Sequence, residues 1–505
     1  MDQHHAAVKA ISSEVQIFYN NKEPFRIYHG STNSTRIVHF DRNKMIDMSN
    51  FSHVLSVDKE RKVALVEPNV PMDDLVNETL KYGLVPPVVM EFPGITVGGG
   101  FSGVAGESSS WRWGFFDRIV NWCDVVLPTG QITRASPTEN ADLFYGAPGT
   151  YGTLCVTTLF ELQLIPAKKY VELEYVTVET VPTAISTIQS AMAASKHDFI
   201  DGILFSATHG AIMLGTMTDE PSSPAIKICR FSRPWDNWFY LHASSVSKPA
   251  RHSNTPTPKP SHTELVPLTD YLFRYDRGAF WTGRYAFHRF HTPFDRLSRL
   301  LLDPLMHTRR MYAALNASGF TQQYIIQDLA LPFHSAESFL NWVDAETGIY
   351  PLWLCPLRLE GEDADGASPT TITTTTPNGT TDPFPLSPNP TFLLNVGVWG
   401  PGPLTHDPFI TLNRRLESTV RDLGGFKWLY ANAYYTEEEF WEIYDREWYE
   451  GLRERYQAGW LLSVFEKVRA KEERVGISGV RGVWTAMRAG GKGGRGGGWL
   501  FGKGK

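Results

Sequence analysis

Residues 96–110 read Thr96-Val97-Gly98-Gly99-Gly100-Phe101-Ser102-Gly103-Val104-Ala105-Gly106-Glu107-Ser108-Ser109-Ser110. Five glycines and four serines in fifteen positions is the composition of a backbone that lets a ligand come close. A pyrophosphate needs backbone N–H donors with no side chain in the way, and small hydroxyls add donors. The stretch Gly30-Ser31-Thr32-Asn33-Ser34-Thr35 has the same character. The nucleotide fingerprint G-x-G-x-x-G, with an acid following in the ribose position, is not written here, so a Rossmann domain is disfavoured.

Outward from this stretch, the apolar spacing of Val8, Ile11, Val15 and Phe18 predicts a helix over Ala6 to Tyr19. A strand is expected around Phe25 to Tyr28, and two more at Val54–Val57 and Val63–Val66. Pro71-Met72-Asp73-Asp74 opens a helix, with proline in the first turn and acids where the helix dipole favours them. Downstream, Val125 to Leu127, Pro128-Thr129-Gly130 and Ile132-Thr133 form a hairpin. A short helix at Asp142 to Tyr145 and a strand from Leu154 to Leu164 close this part. Beyond residue 170 the pattern becomes α+β, with a strand at Leu173–Val178 and a helix at Pro182–Ala194. Proline, serine and threonine dominate residues 247–263 and 360–390, which read as insertions without a packed core. The end of the chain is rich in glycine and carries Arg488, Lys492, Arg495, Lys503 and Lys505, so 466–505 is expected to be a flexible basic tail.

The 505 residues suffice for two or three domains, and 42% apolar with 13% aromatic residues can fill a substantial core. A net charge of -6 gives no pull towards nucleic acid. The four cysteines, Cys123, Cys155, Cys229 and Cys355, form no C-x-x-C pair, so neither a disulfide framework nor a metal site is expected. No apolar run reaches membrane-spanning length and no basic and apolar leader opens the chain, which predicts an intracellular protein without a transmembrane segment.

The order of the pieces is more specific than any one of them. Val66-Glu67-Pro68, Thr96 to Ser110, Ser136 to Tyr145 and Ile165 to Val171 together resemble the FAD-binding domain of the vanillyl-alcohol oxidase and p-cresol methylhydroxylase (PCMH-type) superfamily. Within it, Met217 to Glu220, Tyr350 to Pro356, Leu429-Tyr430-Ala431 and Glu438 to Trp441 extend the resemblance to the delta(24)-sterol reductase group, over roughly residues 6–465. The resemblance implies an α+β chain. Its two-part FAD-binding domain would cover residues 1–170, and a substrate domain residues 171–465, with a C-terminal segment returning to the flavin domain. It places FAD against Gly30, Ser31, Thr32 and Asn33 on one side and Thr96, Val97, Gly98, Gly99, Gly100, Phe101, Ser102, Gly103, Val104, Ala105, Gly106, Glu107 and Ser108 on the other. Gly152, Thr153, Leu154 and Val156 would lie beside the flavin ring.

Some relatives attach the flavin through a His after a Gly pair in the first loop; here Ser31 follows Gly30 and His29 precedes it, so non-covalent FAD is implied. Cys155 stands where the family has Gly, which would narrow the space beside the ring. Membrane-bound relatives carry an apolar anchor ahead of the position where this chain begins, so the resemblance implies a cytoplasmic protein or one peripheral at the endoplasmic reticulum membrane. The implied reaction saturates a sterol side-chain double bond with NADPH as electron donor through FAD. An unactivated alkene then needs a proton donor opposite the flavin, and Tyr434, with Tyr430, is the candidate; His209, His334, His288 and His291 are weaker ones. Two alternatives stay open: an FAD oxidase or dehydrogenase of a sugar, hydroxy acid or alcohol, and a flavin-binding interaction protein. The oligomeric state is not written in the sequence.

Overall fold

A computed structural model describes residues 2–30, 34–36, 41–248, 261–359, 392–471 and 476–489. Two sheets organise these residues. The smaller has five strands in the order Val54–Asp58, Val63–Val66, Val156–Gln163, Val120–Val126, Ile132–Ala135, all antiparallel. Helix Asp2–Asn21 covers it with Val8, Ile11, Val15 and Phe18, the residues whose spacing predicted it. Gly130, at φ +88°, turns the hairpin, and its carbonyl accepts a hydrogen bond from the Ser12 hydroxyl at 2.6 Å. Strand Arg26–Tyr28 lies outside this sheet and pairs in parallel with Met45–Asp47.

The larger sheet has eight antiparallel strands, ordered His262–Pro267, Tyr170–Val178, His209–Thr218, Phe199–Ser206, Leu352–Arg358, Phe392–Pro401, Tyr324–Pro332, Phe426–Lys427. Helices Val181–Ala194, Phe333–Thr347 and His406–Asp422 pack on one face through a separate apolar core. The small sheet ends at Gln163 and the large one begins at Tyr170. The chain then returns: Trp428 Nε1 donates to Val104 O at 2.7 Å, and the Tyr449 hydroxyl meets Thr153 Oγ1 at 2.8 Å.

Three expectations change. The stretch at 97–102 is a short helix, Val97–Ser102, because Thr96 caps it by accepting the Gly99 N–H. Within 247–263, Ser247 closes helix Phe239–Val246, while His262 and Thr263 already belong to an edge strand. Residues 249–260 and 360–391 lie outside the described residues. In the expected tail, 466–468 complete helix Val464–Val468, whose Val464, Phe465 and Val468 are buried. Gly479–Arg488 is a helix laid against Thr308–Ser318, with Gly482 and Ala486 at the contact.

Candidate functional site

The main cavity opens between the two sheets. The first chain segment contributes Ile27, Tyr28, His29, Ser34 and Arg36, and the glycine stretch contributes Thr96, Gly98, Gly99, Ser102, Gly103, Ala105 and Gly106. Glu67 explains how that helix is placed. It is buried, accepting from His4 Nδ1 at 2.7 Å and from the His53 backbone N–H at 2.9 Å. Burial would raise its pKa, but the hydrogen bonds from His4 and His53 hold it below the usual value. Glu67 thereby fixes Pro68, whose carbonyl accepts the Gly98 N–H at 2.7 Å.

The glycines act by absence of side chain more than by donated N–H groups. The N–H of Val97 is taken by Val70 O, that of Gly98 by Pro68 O and that of Gly99 by Thr96 Oγ1. A Cβ on Gly98 would lie 2.9 Å from Pro68 Cβ, and one on Gly103 would lie 2.9 Å from Gly99 O. Gly99 is the exposed residue of the helix and faces open cavity. Gly152, at φ +74°, would drive a Cβ to 2.5 Å from Ile27 Cδ1.

Positive charge comes from residues far apart in the chain. Arg26, Arg36 and Lys467 line the same cavity, and among the described residues none of them has a carboxylate partner. Burial first, then Arg26 and Arg36, push the Lys467 ammonium down to about 7. Lys467 donates to Tyr151 O, and Arg36 donates to Leu429 O while lying over the Tyr151 ring. His29 adds a buried Nδ1 with no partner among the described residues. These features fit FAD: a space a Cβ would close, cations for a pyrophosphate and an orphaned polar atom. Ser31, Thr32 and Asn33, expected on this side, lie outside the described residues, although Ser34 and Arg36 just beyond them line the cavity.

The large sheet supplies Asp328, Trp353, Asn395 and Trp399 to the other wall, joined by Tyr312 from helix Thr308–Ser318 and Tyr430 from the C-terminal return. The Tyr430 hydroxyl donates to Asp328 Oδ2 at 2.7 Å, and Asn395 Nδ2 donates to Asp328 Oδ1 at 3.3 Å. Burial raises the pKa of Asp328, while Tyr430 and Asn395 pull against it. Glu91, also on the cavity wall, is raised well above the usual carboxylate value by burial and by the nearby Glu107. Burial and Asp328 lift the Tyr430 phenol well above its ordinary value.

Several expected residues sit elsewhere. Tyr434 lines a second, cationic cavity that meets the first at Arg26, Arg36 and Lys467; its N–H donates to Glu417 and its ring packs edge-on to Phe409. Val97, Gly100, Phe101 and Val104 are packed inward. Glu107 and Ser108 are buried at the junction of the two sheets, where Arg274 lies 3.7 Å from Glu107 and 2.9 Å from Asp201, and 3.4 Å from the Ser108 hydroxyl. Val156 points into the core, and the strand's alternation gives the cavity Thr157 instead. Thr153 and Leu154 are likewise buried, and Cys155 is buried without lining the cavity, so it does not narrow it. His209, His288, His291 and His334 do not line it either. Sequence reasoning missed Arg26, Arg36, Lys467, Glu91, Asp328 and Asn395. Only the position of Arg26 and Arg36 beside the Gly30 loop could have signalled any of them.

A glycine-lined, cationic cavity closed by a sheet wall with buried acids defines an FAD-dependent oxidoreductase. Residues 6–136 match the FAD binding domain family. The chain is 30% identical over 468 residues to the delta(24)-sterol reductase of Arabidopsis thaliana, spanning 86% of this chain and 77% of that one. It is 29% identical over 436 residues to the Homo sapiens delta(24)-sterol reductase, covering 84% and 77%. A cytokinin dehydrogenase of rice is 29% identical over 152 residues, only 30% of this chain. The protein belongs to the delta(24)-sterol reductase family.

Proposed function

We propose that this protein reduces the side-chain double bond of a sterol, taking electrons from NADPH through non-covalently bound FAD. The observation that carries the reading is the pairing, in one cavity, of a flavin cradle with two carboxyls whose pKa burial raises. When bound, FAD supplies the hydride for one alkene carbon; the other carbon needs a proton from the protein. Asp328 is the better acid for that step. A phenol raised above its ordinary value, as in Tyr430 and Tyr434, parts with its proton far less readily than a carboxyl does. Tyr430 and Asn395 orient Asp328, and Glu91 is positioned to restore its proton. Phe92, Trp353, Trp399, Trp428 and Leu357 form an apolar surface suited to a flat, rigid ligand. The cations of the adjoining cavity, Arg414, Arg469 and Lys471 with Lys467, suit the phosphates of a dinucleotide.

Membrane contact, in this reading, is peripheral. Among the described residues no helix is long and apolar enough to cross a membrane. Helix Gly479–Arg488 exposes Val480, Trp484 and Met487 on one face beside the exposed Phe290, a better lipid contact than a glycine tail.

The test is anaerobic incubation of the flavin-loaded protein with deuterated NADPH and a delta(24)-sterol. Saturated product with one hydrogen from the nicotinamide and one from solvent supports the reading. Reduced flavin that is reoxidised by oxygen or quinone but never by sterol would replace it with the oxidase alternative.

A further inference from the structure

At the free edge of the large sheet, remote in sequence from every residue of the main cavity, three metal-ligating side chains converge and a fourth, His262, lies beside them. Strand His262–Pro267 is the first in the sheet order, and the chain at 227–229 runs along its outer side: Cys229 N–H donates to Leu265 O at 2.8 Å and Leu265 N–H to Lys227 O at 2.9 Å. Helix Phe239–Val246 lies against the same place. These three elements bring together Cys229, His242 and Glu264, whose donor atoms all lie within 4.8 Å of one another. His262 precedes Glu264 by two residues on the strand, and so shares its face.

The separations are those of a hydrogen-bonded cluster, within about half an ångström of a tetrahedral ligand set. Cys229 Sγ is 3.9 Å from His242 Nε2, His242 Nε2 is 2.9 Å from Glu264 Oε2, and His262 Nε2 is 3.2 Å from the same oxygen. Tetrahedral bonds of zinc length place neighbouring donor atoms roughly 3.3–3.6 Å apart. The outer partner is also in place: the Tyr175 hydroxyl donates to Glu264 Oε1 at 2.7 Å, and Oε2 is the oxygen that both histidines approach, with His242 Nε2 also 3.1 Å from Oε1. An ion has a way in, because Cys229 and His242 line a surface cavity.

We propose that Cys229, His242 and Glu264 bind one zinc-class divalent ion, with His262, in contact with Glu264, drawn in as the fourth ligand. A thiolate, imidazoles and a single carboxylate select a borderline-soft transition ion over calcium or magnesium, which take oxygen ligands. None of the four lines the main cavity, so the role is structural. The ion ties the 227–229 segment and helix Phe239–Val246 to an edge strand that, among the described residues, has no sheet neighbour on its outer side beyond that segment. The spacing, thirteen residues from Cys229 to His242 and twenty-two from there to Glu264, matches no short motif, which is why the sequence predicts no metal.

The experiment uses the full chain with its flavin, stripped of metal by a chelator and dialysed. Titration with Co2+, read as a difference spectrum against the same flavoprotein, should saturate at one equivalent with a thiolate-to-cobalt charge-transfer band, and one equivalent of Zn2+ should displace it. Cys229→Ser should lose the band while keeping its FAD. Tyr175→Phe should keep the band and weaken Zn2+ binding about tenfold, as loss of an outer partner does. His262→Ala, a change at an exposed residue, should weaken binding without loss of protein and serves where Cys229→Ser does not fold. Binding of less than one equivalent, a cobalt spectrum without the thiolate band, or unaltered affinity in both Cys229→Ser and His262→Ala overturns the proposal. FAD content reports separately on the flavin site, so failure here leaves the reductase reading standing.

Discussion

Tyr430 and Asp328 are joined by a 2.7 Å hydrogen bond in which the phenol donates to Oδ2 of a carboxyl lining the same cavity. The first belongs to the C-terminal return and the second to the strand Tyr324–Pro332, so the pair exists only when the return segment is docked. With Asn395 on the other oxygen, the carboxyl is held in one orientation, which is what a proton donor requires.

Asp328→Asn is therefore expected to lower the rate of flavin reoxidation by sterol about 10²-fold or more, with FAD content unchanged. Because the proposed role needs Asp328 protonated and burial raises its pKa, the wild-type rate should fall as rising pH ionises it. The Asn variant should lack this limb of the pH profile. Tyr430→Phe should be slowed less, and Tyr434→Phe hardly at all. Stopped-flow absorbance checks all three; a larger loss in Glu91→Gln than in Asp328→Asn would exchange the two acids' roles.

Gly99→Trp should give soluble protein that no longer retains flavin, since Gly99 is the exposed residue of its helix and lines the cavity. Absorbance after gel filtration measures the loss. Retained yellow colour would place the flavin elsewhere.

Lys467 gives a pH dependence of opposite physical origin. Its folded pKa is lowered to about 7, so near and above that pH the flavin-free protein carries it uncharged. A pyrophosphate favours the charged form, so FAD binding should take up a proton and weaken as pH rises from about 7. The unfolded chain binds this proton up to its ordinary pKa, so the same group makes the flavin-free fold more stable with rising pH between about 7 and 10.5. Lys467→Met should bind FAD more weakly and with a flatter pH profile, by fluorescence titration.

Arg274→Met should destabilise the fold by about 3–5 kcal/mol, the usual cost of leaving buried charges unpaired. Arg274 is buried between Asp201 and Glu107, and both the Tyr275 hydroxyl and Trp353 Nε1 also donate to Asp201, at 2.6 and 3.1 Å. Urea unfolding monitored by tryptophan fluorescence measures it. A loss under 1 kcal/mol would show that the network relaxes freely.

The sequence alone determined whatever depends on neighbours in the chain. The 3.6-residue spacing of Val8, Ile11, Val15 and Phe18 is enough to bury one helix face, and the glycines at 98–106 can only serve a place where side chains would collide. Gly152 likewise belongs to a backbone of positive φ. The C-terminal return was legible through the resemblance carried by Leu429 to Trp441. Tertiary structure decided the rest, because charge and acidity are properties of surroundings. Lys467 has no local mark that separates it from a tail lysine, and it becomes a cavity residue only when helix Val464–Val468 packs beside Arg26 and Arg36. Asp328 and Glu91 acquire raised pKa values from a burial that no nearby residue announces. Glu107 and Ser108 continue the glycine stretch in sequence, yet the sheet behind them draws them to Arg274 and makes them a joint between the two sheets.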